Sequence, residues 1–598
     1  MNARVTFLLV LGALPLALLG ASCGSSTDGG TEDEGASKGD WGSGGSAQTT
    51  TGGGTGGTGN PVTTTDAPAA CGAGCERSKA GAGSADPFDT SKHESSNVSV
   101  DKDGALVLDR AASGGGSLIW IANSQGNVVS KVDTTTFTEL GRYATGAGDP
   151  SRTSVDALGN VYVGNRGGSS VTKILSAGDK CPDSNGDGAI TTSTGPNDVL
   201  PYGQDDCRVW ETPLGHAIRG VAAQDVYTQI PSGDPDLPPT IEEEHYVWAG
   251  TLDGIVWKLD GKTGAVLATT QAPCPVYGFA LDGKGQLWMT SGNCVGRIDT
   301  TKCKDDASCN ALDVCQSSCG AGGDCTAACD AAGKEAVSLP DGTYGITVDF
   351  KQRVWLGGGE GLKRYDPHAA PGQRYAASQN GFSHGVAADA NGFIWGARHP
   401  EVVRLNGDTM EATVIPTASS KGMAVDKQGK IWAISYMEGF ATVITPGPGL
   451  NDNTVTQNAV TGLVGPYTYS DMTGLQAALA KNDPGHYLET FTGCLDGETN
   501  WVELAWDATV PKDTAVMFRV RTAGSPADLA NAKWISAATI PSAVSPVDLA
   551  ARFKSAGITP ARYLDLDVWL SISVDNMKVE SPKVKSFSVG HTCPKKVN

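Results

Sequence analysis

Apolar and polar residues alternate with period two in short runs along most of this chain, and one such unit recurs. Thr343–Asp366 reads TYGITVDFKQRVWLGGGEGLKRYD. Related units read VYGFALDGKGQLWMTSGNCVGRID from Val276, SHGVAADANGFIWGARHPEVVRLN from Ser383 and SKGMAVDKQGKIWAISYMEGFATVIT from Ser420. Each opens on a glycine and an alternating run, turns at Asp-x-x-Gly, and continues through a second alternating run that carries Trp. In the unit at Thr343, Gln352 replaces the turn glycine. Strict alternation predicts half-buried strands, and Asp with Gly suits the tight turn of a hairpin.

The aromatic marks of the second run fall at Trp120, Tyr162, Trp248, Trp288, Trp355, Trp395 and Trp432. Four intervals are 42, 40, 40 and 37 residues, and the other two, 86 and 67, hold one period plus an insertion. A period near 40 with four short strands is the signature of a propeller blade. The expected fold is therefore all-β, a seven-bladed β-propeller over residues 97–474 with insertions near 175–215 and 303–336. Six or eight blades stay open, because Val98–Asp109 (VSVDKDGALVLD) resembles half a repeat and could instead complete the ring together with strands from the other end. From residue 487 to 598 the alternation is carried by longer runs such as Trp501–Trp506 and Thr514–Thr522, which predicts a C-terminal β-sandwich.

The N-terminus departs from this pattern. Met1–Arg4 is basic, Val5–Leu19 is apolar but too short to cross a bilayer, and small residues precede Cys23. Residues 1–22 are expected to be a lipoprotein signal peptide and Cys23 the acylated residue. Gly24 and Ser25 after it point to the bacterial outer membrane, on its periplasmic or cell-surface side. Residues 23–96 are rich in Gly, Ser and Thr, which predicts a flexible tether. The net charge of −20 argues against a nucleic-acid partner.

An exported chain with 14 further cysteines is expected to hold disulfides. Cys181 with Cys207, Cys274 with Cys294, and Cys494 with Cys593 are the predicted bridges, and Cys71 with Cys75 a small disulfide loop. The units Cys315/Cys319 and Cys325/Cys329 share i,i+4 spacing, which predicts a disulfide-stapled helical hairpin. Asp183-Ser-Asn185-Gly-Asp187-Gly-Ala189-Ile has the start of an EF-hand-type loop. Its twelfth position is Thr194 rather than Glu, so Asp198, Asp205 or Asp206 would have to supply the missing carboxylate. A structural Ca²⁺ held by Asp183, Asn185, Asp187, Ala189 and Asp205 is the expectation.

In a propeller the innermost strand of each blade starts at one face of the central channel. The residue before each repeat glycine should face that axis: Arg219, Tyr277, Tyr344, His384 and Lys421, with Arg152 in the variant SRTSVD. Arg398 lies at the returning end of a second strand. This set of cations and tyrosines in an acidic chain predicts a pocket for an anionic or carbohydrate-like ligand.

The repeats YGITVDFKQRVWL and SHGVAADANGFIWGA resemble those of the streptogramin (virginiamycin B) lyases and their relatives, over residues 117–445. That resemblance implies a propeller, and in its catalytic members an axial His in two blades, a Glu at the end of a second strand and a bound Mg²⁺. His384 matches one such His; Tyr344 and Lys421 stand where others would be, and no second-strand end offers Glu. The expected function is thus a surface-tethered lipoprotein, anchored to a membrane, whose propeller binds a small-molecule, glycan or protein ligand. The alternative is an enzyme: a carbon–oxygen lyase using His384, Tyr344 and Lys421 with Mg²⁺, or a calcium-dependent lactone hydrolase.

Overall fold

The computed structural model describes residues 71–593 apart from 73, 109–116, 231–239, 317–325, 482–483, 496–497 and 573–580. Cys23, Cys319 and Cys325, with the signal and most of the tether, lie outside the described residues.

Between Leu118 and Val460 the chain forms seven successive small sheets. The first has three strands, Leu118–Asn123, Val128–Asp133 and Glu139–Ala144. The other six have four strands each and begin at Pro150, Gly220, Gly278, Ile346, Val386 and Gly422. The first strands of consecutive four-stranded sheets touch one another, so the sheets stand around a common axis as a β-propeller. The ring closes where Ile119, Ile121 and Val132 of the first sheet pack on Trp432, Ile434 and Val443 of the last.

Closure uses the far end of the repeat region. Trp120 N donates to Met472 O at 2.9 Å and Ser124 N to Gly465 O at 3.1 Å. Residues 465–472 thereby run antiparallel along the first sheet, in the innermost position that a first strand fills elsewhere. The half repeat at Val98–Asp109 does not join the ring. Val98–Val100 and Leu106–Leu108 pair with each other, and the second pairs with Lys583–Thr592. A D-x-D-G hairpin is locally the same in either sheet; the burial of Val98 and Leu106 in the C-terminal core decides between them. The expected propeller start at residue 97 is corrected accordingly.

The repeats look alike because each buries the same polar pair. Asp282, Asp349, Asp389 and Asp426 accept a hydrogen bond from the indole Nε1 of the Trp six residues on, at 2.8–2.9 Å. A buried indole needs an acceptor, and this one also ties the hairpin turn to the second strand.

The C-terminal region holds two antiparallel sheets around one core that includes Leu106, Tyr487, Trp501, Phe518, Leu566 and Phe587. The segment expected to be tether contributes to both. Cys75–Gly81 pairs with Lys583–Thr592, Ser95–Ser96 pairs with Gly485–Thr492, and Phe88 is buried against Tyr487. Edge pairing through the backbone needs few apolar side chains, which is why composition alone placed residues 75–96 in the tether.

The three predicted long-range bridges form, as does Cys71–Cys75. The cysteine-rich insertion differs from expectation. Cys303 pairs with Cys309 and Cys315 with Cys329. Cys315 lies on a strand, Asp313–Gln316, parallel to Gly333–Thr343, and Thr326–Ala332, which carries Cys329, is helical. Val314 and Cys315 extend the fourth sheet, and that pairing outweighs the i,i+4 spacing.

Candidate functional site

Six of the seven predicted axial residues meet at one face of the ring, together with two that the repeat pattern did not pick out. Tyr277, Tyr344 and Tyr467 place their hydroxyls in a triangle: 2.9 Å from Tyr277 to Tyr344, 2.8 Å from Tyr277 to Tyr467 and 2.6 Å from Tyr344 to Tyr467. The Tyr469 hydroxyl donates to that of Tyr467 at 3.0 Å. Arg152 lies fully buried beneath them, its guanidinium 3.7 Å from the Tyr469 ring centroid and 5.1 Å from that of Tyr277. Arg219 approaches the Tyr277 ring at 5.7 Å, and Lys421 lies 5.6 Å from both Tyr344 and Tyr467. His384 meets the Tyr344 ring edge-on at 5.2 Å.

Tyr467 and Tyr469 come from the segment that closes the ring. Asp471-Met-Thr-Gly474 repeats the Asp-x-x-Gly turn, and Tyr467 precedes its Asp by four residues, as Arg152 precedes Asp156. That signal identifies Tyr467 as a seventh axial residue. Arg398 does not join the cluster; it pairs with Glu401 at 3.5 Å.

The electrostatics follow from burial and charge. Burial tends to raise the Tyr277 phenol, but Arg152 and the hydroxyls of Tyr344, Tyr467 and Tyr469 outweigh it and bring the group down to about 8. Burial pushes the Tyr344 and Tyr469 phenols well up. His384 is brought down to about 4, by burial first and then by the charge of Lys421, so it is neutral at physiological pH. Its Nδ1 is buried without a hydrogen-bond partner. Burial also lowers Lys421, with Tyr277 opposing. Among the described residues, no carboxylate hydrogen-bonds to the four hydroxyls, and neither Arg219 nor Lys421 forms an ion pair.

The opposite end of the axis is closed by the helix Leu475–Lys481. Asp471 caps it, accepting from Ala477 N at 2.9 Å and Gln476 N at 3.3 Å, and burial raises its carboxyl to about 6. Gln476 bonds to Thr347 and to Ala388 N, and Gln352 Nε2 donates to Ala480 O at 2.6 Å. A cavity of about 30 Å³ remains beside Asp471, between the inner strands.

The Asp-rich insertion folds as a tight loop. Asp183 accepts from Gly186 N, Asp187 N and Gly188 N, and Asn185 and Asp187 cap the turns that follow. Asp205 faces away from it, accepting from Thr192, Ser193 and Cys207. The carboxylate that reaches the loop is Asp206, through Ser184 N at 3.0 Å and Thr191 N at 2.7 Å. Asp205 and Asp206 lie at the turn before the strand Arg208–Pro213, and their carboxylates bond to different segments of the insertion.

No protein-family description matches the sequence, and no curated protein matches it. Several solved structures are similar in shape. A functionally unknown protein from Desulfotomaculum acetoxidans has a TM-score of 0.36 at 12% identity, covering 57% of this chain and 99% of that one. A catalytically inactive virginiamycin B lyase from Staphylococcus aureus, solved with quinupristin, has a TM-score of 0.31 at 14% identity, covering 60% and 95%. The WD40 propeller domain of Doa1 has a TM-score of 0.32 at 12% identity, covering 57% and 90%. Likeness at this level carries no argument about activity.

Proposed function

We propose that this protein is an exported, surface-tethered binding protein whose propeller, with one blade per small sheet, takes an anionic ligand at the tyrosine face. The observation that carries the reading is the placing of Arg219 and Lys421, two cations that have no carboxylate partner among the described residues, beside a cluster of tyrosine hydroxyls bonded to one another. Such a face offers charge-assisted hydrogen bonds to an oxyanion and ring surfaces to its body. Acylation at Cys23 would hold it on the outer membrane, and the residues up to 70 would give it reach. A structural Ca²⁺ would sit in the loop of Asp183, Asn185 and Asp187, with the Ala189 carbonyl and with Asp206 in place of Asp205.

The test is thermal unfolding with galacturonate, sulfate and neutral galactose. Saturable stabilisation by the anions and not by galactose, lost in Arg219→Ala with Lys421→Ala, is the expected result. Equal response to all three, or no loss in the double variant, would defeat it.

One observation favours a second reading, elimination of the virginiamycin B lyase type. Neutral His384 has an unpartnered Nδ1 beside Tyr344 and Lys421, which is the state a general base requires. Ring opening of a streptogramin B by the protein with Mg²⁺, absent in His384→Ala, would establish it.

A further inference from the structure

Four large apolar side chains are exposed on the loops around the tyrosine face. Phe382 is 46% exposed and its ring lies 4.8 Å from that of His384. Met437 is 75% exposed and follows Tyr436, whose ring meets Tyr467 at 5.4 Å. Val464 is 42% exposed, three residues before Tyr467 and held by Asn123 through its backbone N–H. Leu252 is 44% exposed, two residues beyond Gly250, whose carbonyl accepts from Arg219 N. Single exposed apolar residues are ordinary on a protein surface, but these four stand on loops next to the axial residues, where a bound ligand could cover them.

These residues surround a centre of opposite character. Arg219 and Lys421 supply positive charge, and the hydroxyls of Tyr277, Tyr344 and Tyr467, bonded to one another, form a polar floor. Arg152 is already spent on the ring faces of Tyr277 and Tyr469, and Arg166 on Asp149 at 2.5 Å. A hydrophilic anion such as a sugar acid would satisfy the centre and leave the apolar rim in water. A neutral lipid would cover the rim and strand the two cations beneath it, at the cost of desolvating unpaired charge. An anionic head with an apolar body meets both requirements.

We infer that the ligand of this face is an amphiphilic carboxylate, seated with its head group between Arg219 and Lys421 and its hydrocarbon part against Phe382, Met437, Val464 or Leu252. This rests on the anion-binding reading above and narrows it. His384, neutral and placed between Phe382 and Tyr344, would form the boundary between the two regions.

The experiment is calorimetric titration of the full chain with acetate, hexanoate, decanoate and decanol. Affinity should rise with chain length by up to about fourfold per methylene removed from water, and decanol should not saturate. Arg219→Ala with Lys421→Ala should weaken hexanoate and decanoate by a common factor of about tenfold or more. Phe382→Ser with Met437→Ser should flatten the chain-length dependence and leave acetate unchanged. Equal affinity for acetate and decanoate would overturn the amphiphile and leave anion binding standing. Saturation by decanol equal to decanoate, or carboxylate binding unchanged in the double cation variant, would overturn both. Unchanged melting temperatures of the variants without ligand would show that each reports on binding.

Discussion

Trp355 Nε1 donates to Asp349 Oδ2 at 2.8 Å, from the second strand of a blade back to the turn six residues earlier. The other carboxylate oxygen accepts the backbone N–H of Lys351 and of Arg353, so one side chain holds turn, strand and indole together. Asp389 does the same for Trp395, Asn391 and Phe393. Asp389→Ala would leave three donors without an acceptor, two of them backbone. Each buried unsatisfied group costs about 1–3 kcal/mol, so a loss of about 2–4 kcal/mol in urea unfolding is expected, whereas Asp389→Asn should lose less. A loss under about 0.5 kcal/mol in Asp389→Ala would count against the hydrogen bond as the reason for the motif.

Gln352 is the exception to the turn glycine, and the structure supplies its reason. It sits at φ +61°, a conformation that glycine adopts without strain. Its amide reaches both Ala480 O and Gly283 N, tying the axial helix to two blades. Gln352→Gly would relieve the backbone and lose both bonds. Hydrogen exchange of the helix Leu475–Lys481 should therefore quicken by about tenfold, the equivalent of about 1.4 kcal/mol. No change would mean that the helix is held by Gln476 and Asp471 alone.

The blades were legible because an alternation, a turn and a Trp recur together, and local rules suffice for each. The closing strand was not, since residues 465–472 carry the turn signature of Asp471-x-x-Gly474 but no second run behind it; the chain goes into a helix instead. Tyr467 and Tyr469 were missed for that reason. The placement of Val98–Leu108 and Cys75–Gly81 depended on pairing with Lys583–Thr592, nearly 500 residues away, which no local pattern encodes. Arg398 misled because the position at a strand end does not say whether a side chain turns to the axis or, as here, to Glu401.

Cys494–Cys593 spans 99 residues and closes the C-terminal sheets at the ends of two of their strands. Closing a loop of that size restricts the unfolded chain by about 4–5 kcal/mol in the chain-entropy treatment. Replacing both cysteines with Ser should lower the unfolding free energy of this region by several kcal/mol, read by guanidinium unfolding followed through Trp501 and Trp506. A change below about 1 kcal/mol would show that the N-terminal strands already restrain the same loop.

The insertion around Asp183 gives a metal-dependent expectation. The residues Asp183–Ile190 are exposed, and beyond the Cys181–Cys207 bridge and the Asp206 hydrogen bonds a bound Ca²⁺ would add a further restraint. Adding EDTA to the calcium-loaded protein should lower the melting temperature and expose the loop to proteolysis, with Mg²⁺ unable to restore protection. Asp183→Ala should show the lower melting temperature with or without EDTA. A melting curve indifferent to EDTA would dismiss the site.

Tyr277 gives the most direct test of the axial electrostatics. Its phenol is brought down to about 8 against an ordinary value of 10, chiefly because Arg152 and three neighbouring hydroxyls overcome the effect of burial. A phenolate absorbance titration should show one tyrosine ionising near pH 8, well before the others, and Tyr277→Phe should remove that step alone. The sign for stability follows from the lowered value. Below pH 8 the phenol is protonated in both folded and unfolded chains and contributes nothing. Between about 8 and 10 the folded state releases a proton that the unfolded state keeps, so stability relative to Tyr277→Phe should rise across that window and level off above it. Arg152→Met removes the charge and leaves burial in control, so the step should move above 10. A first tyrosine step at 10 in the native protein would mean that Arg152 does not act on Tyr277.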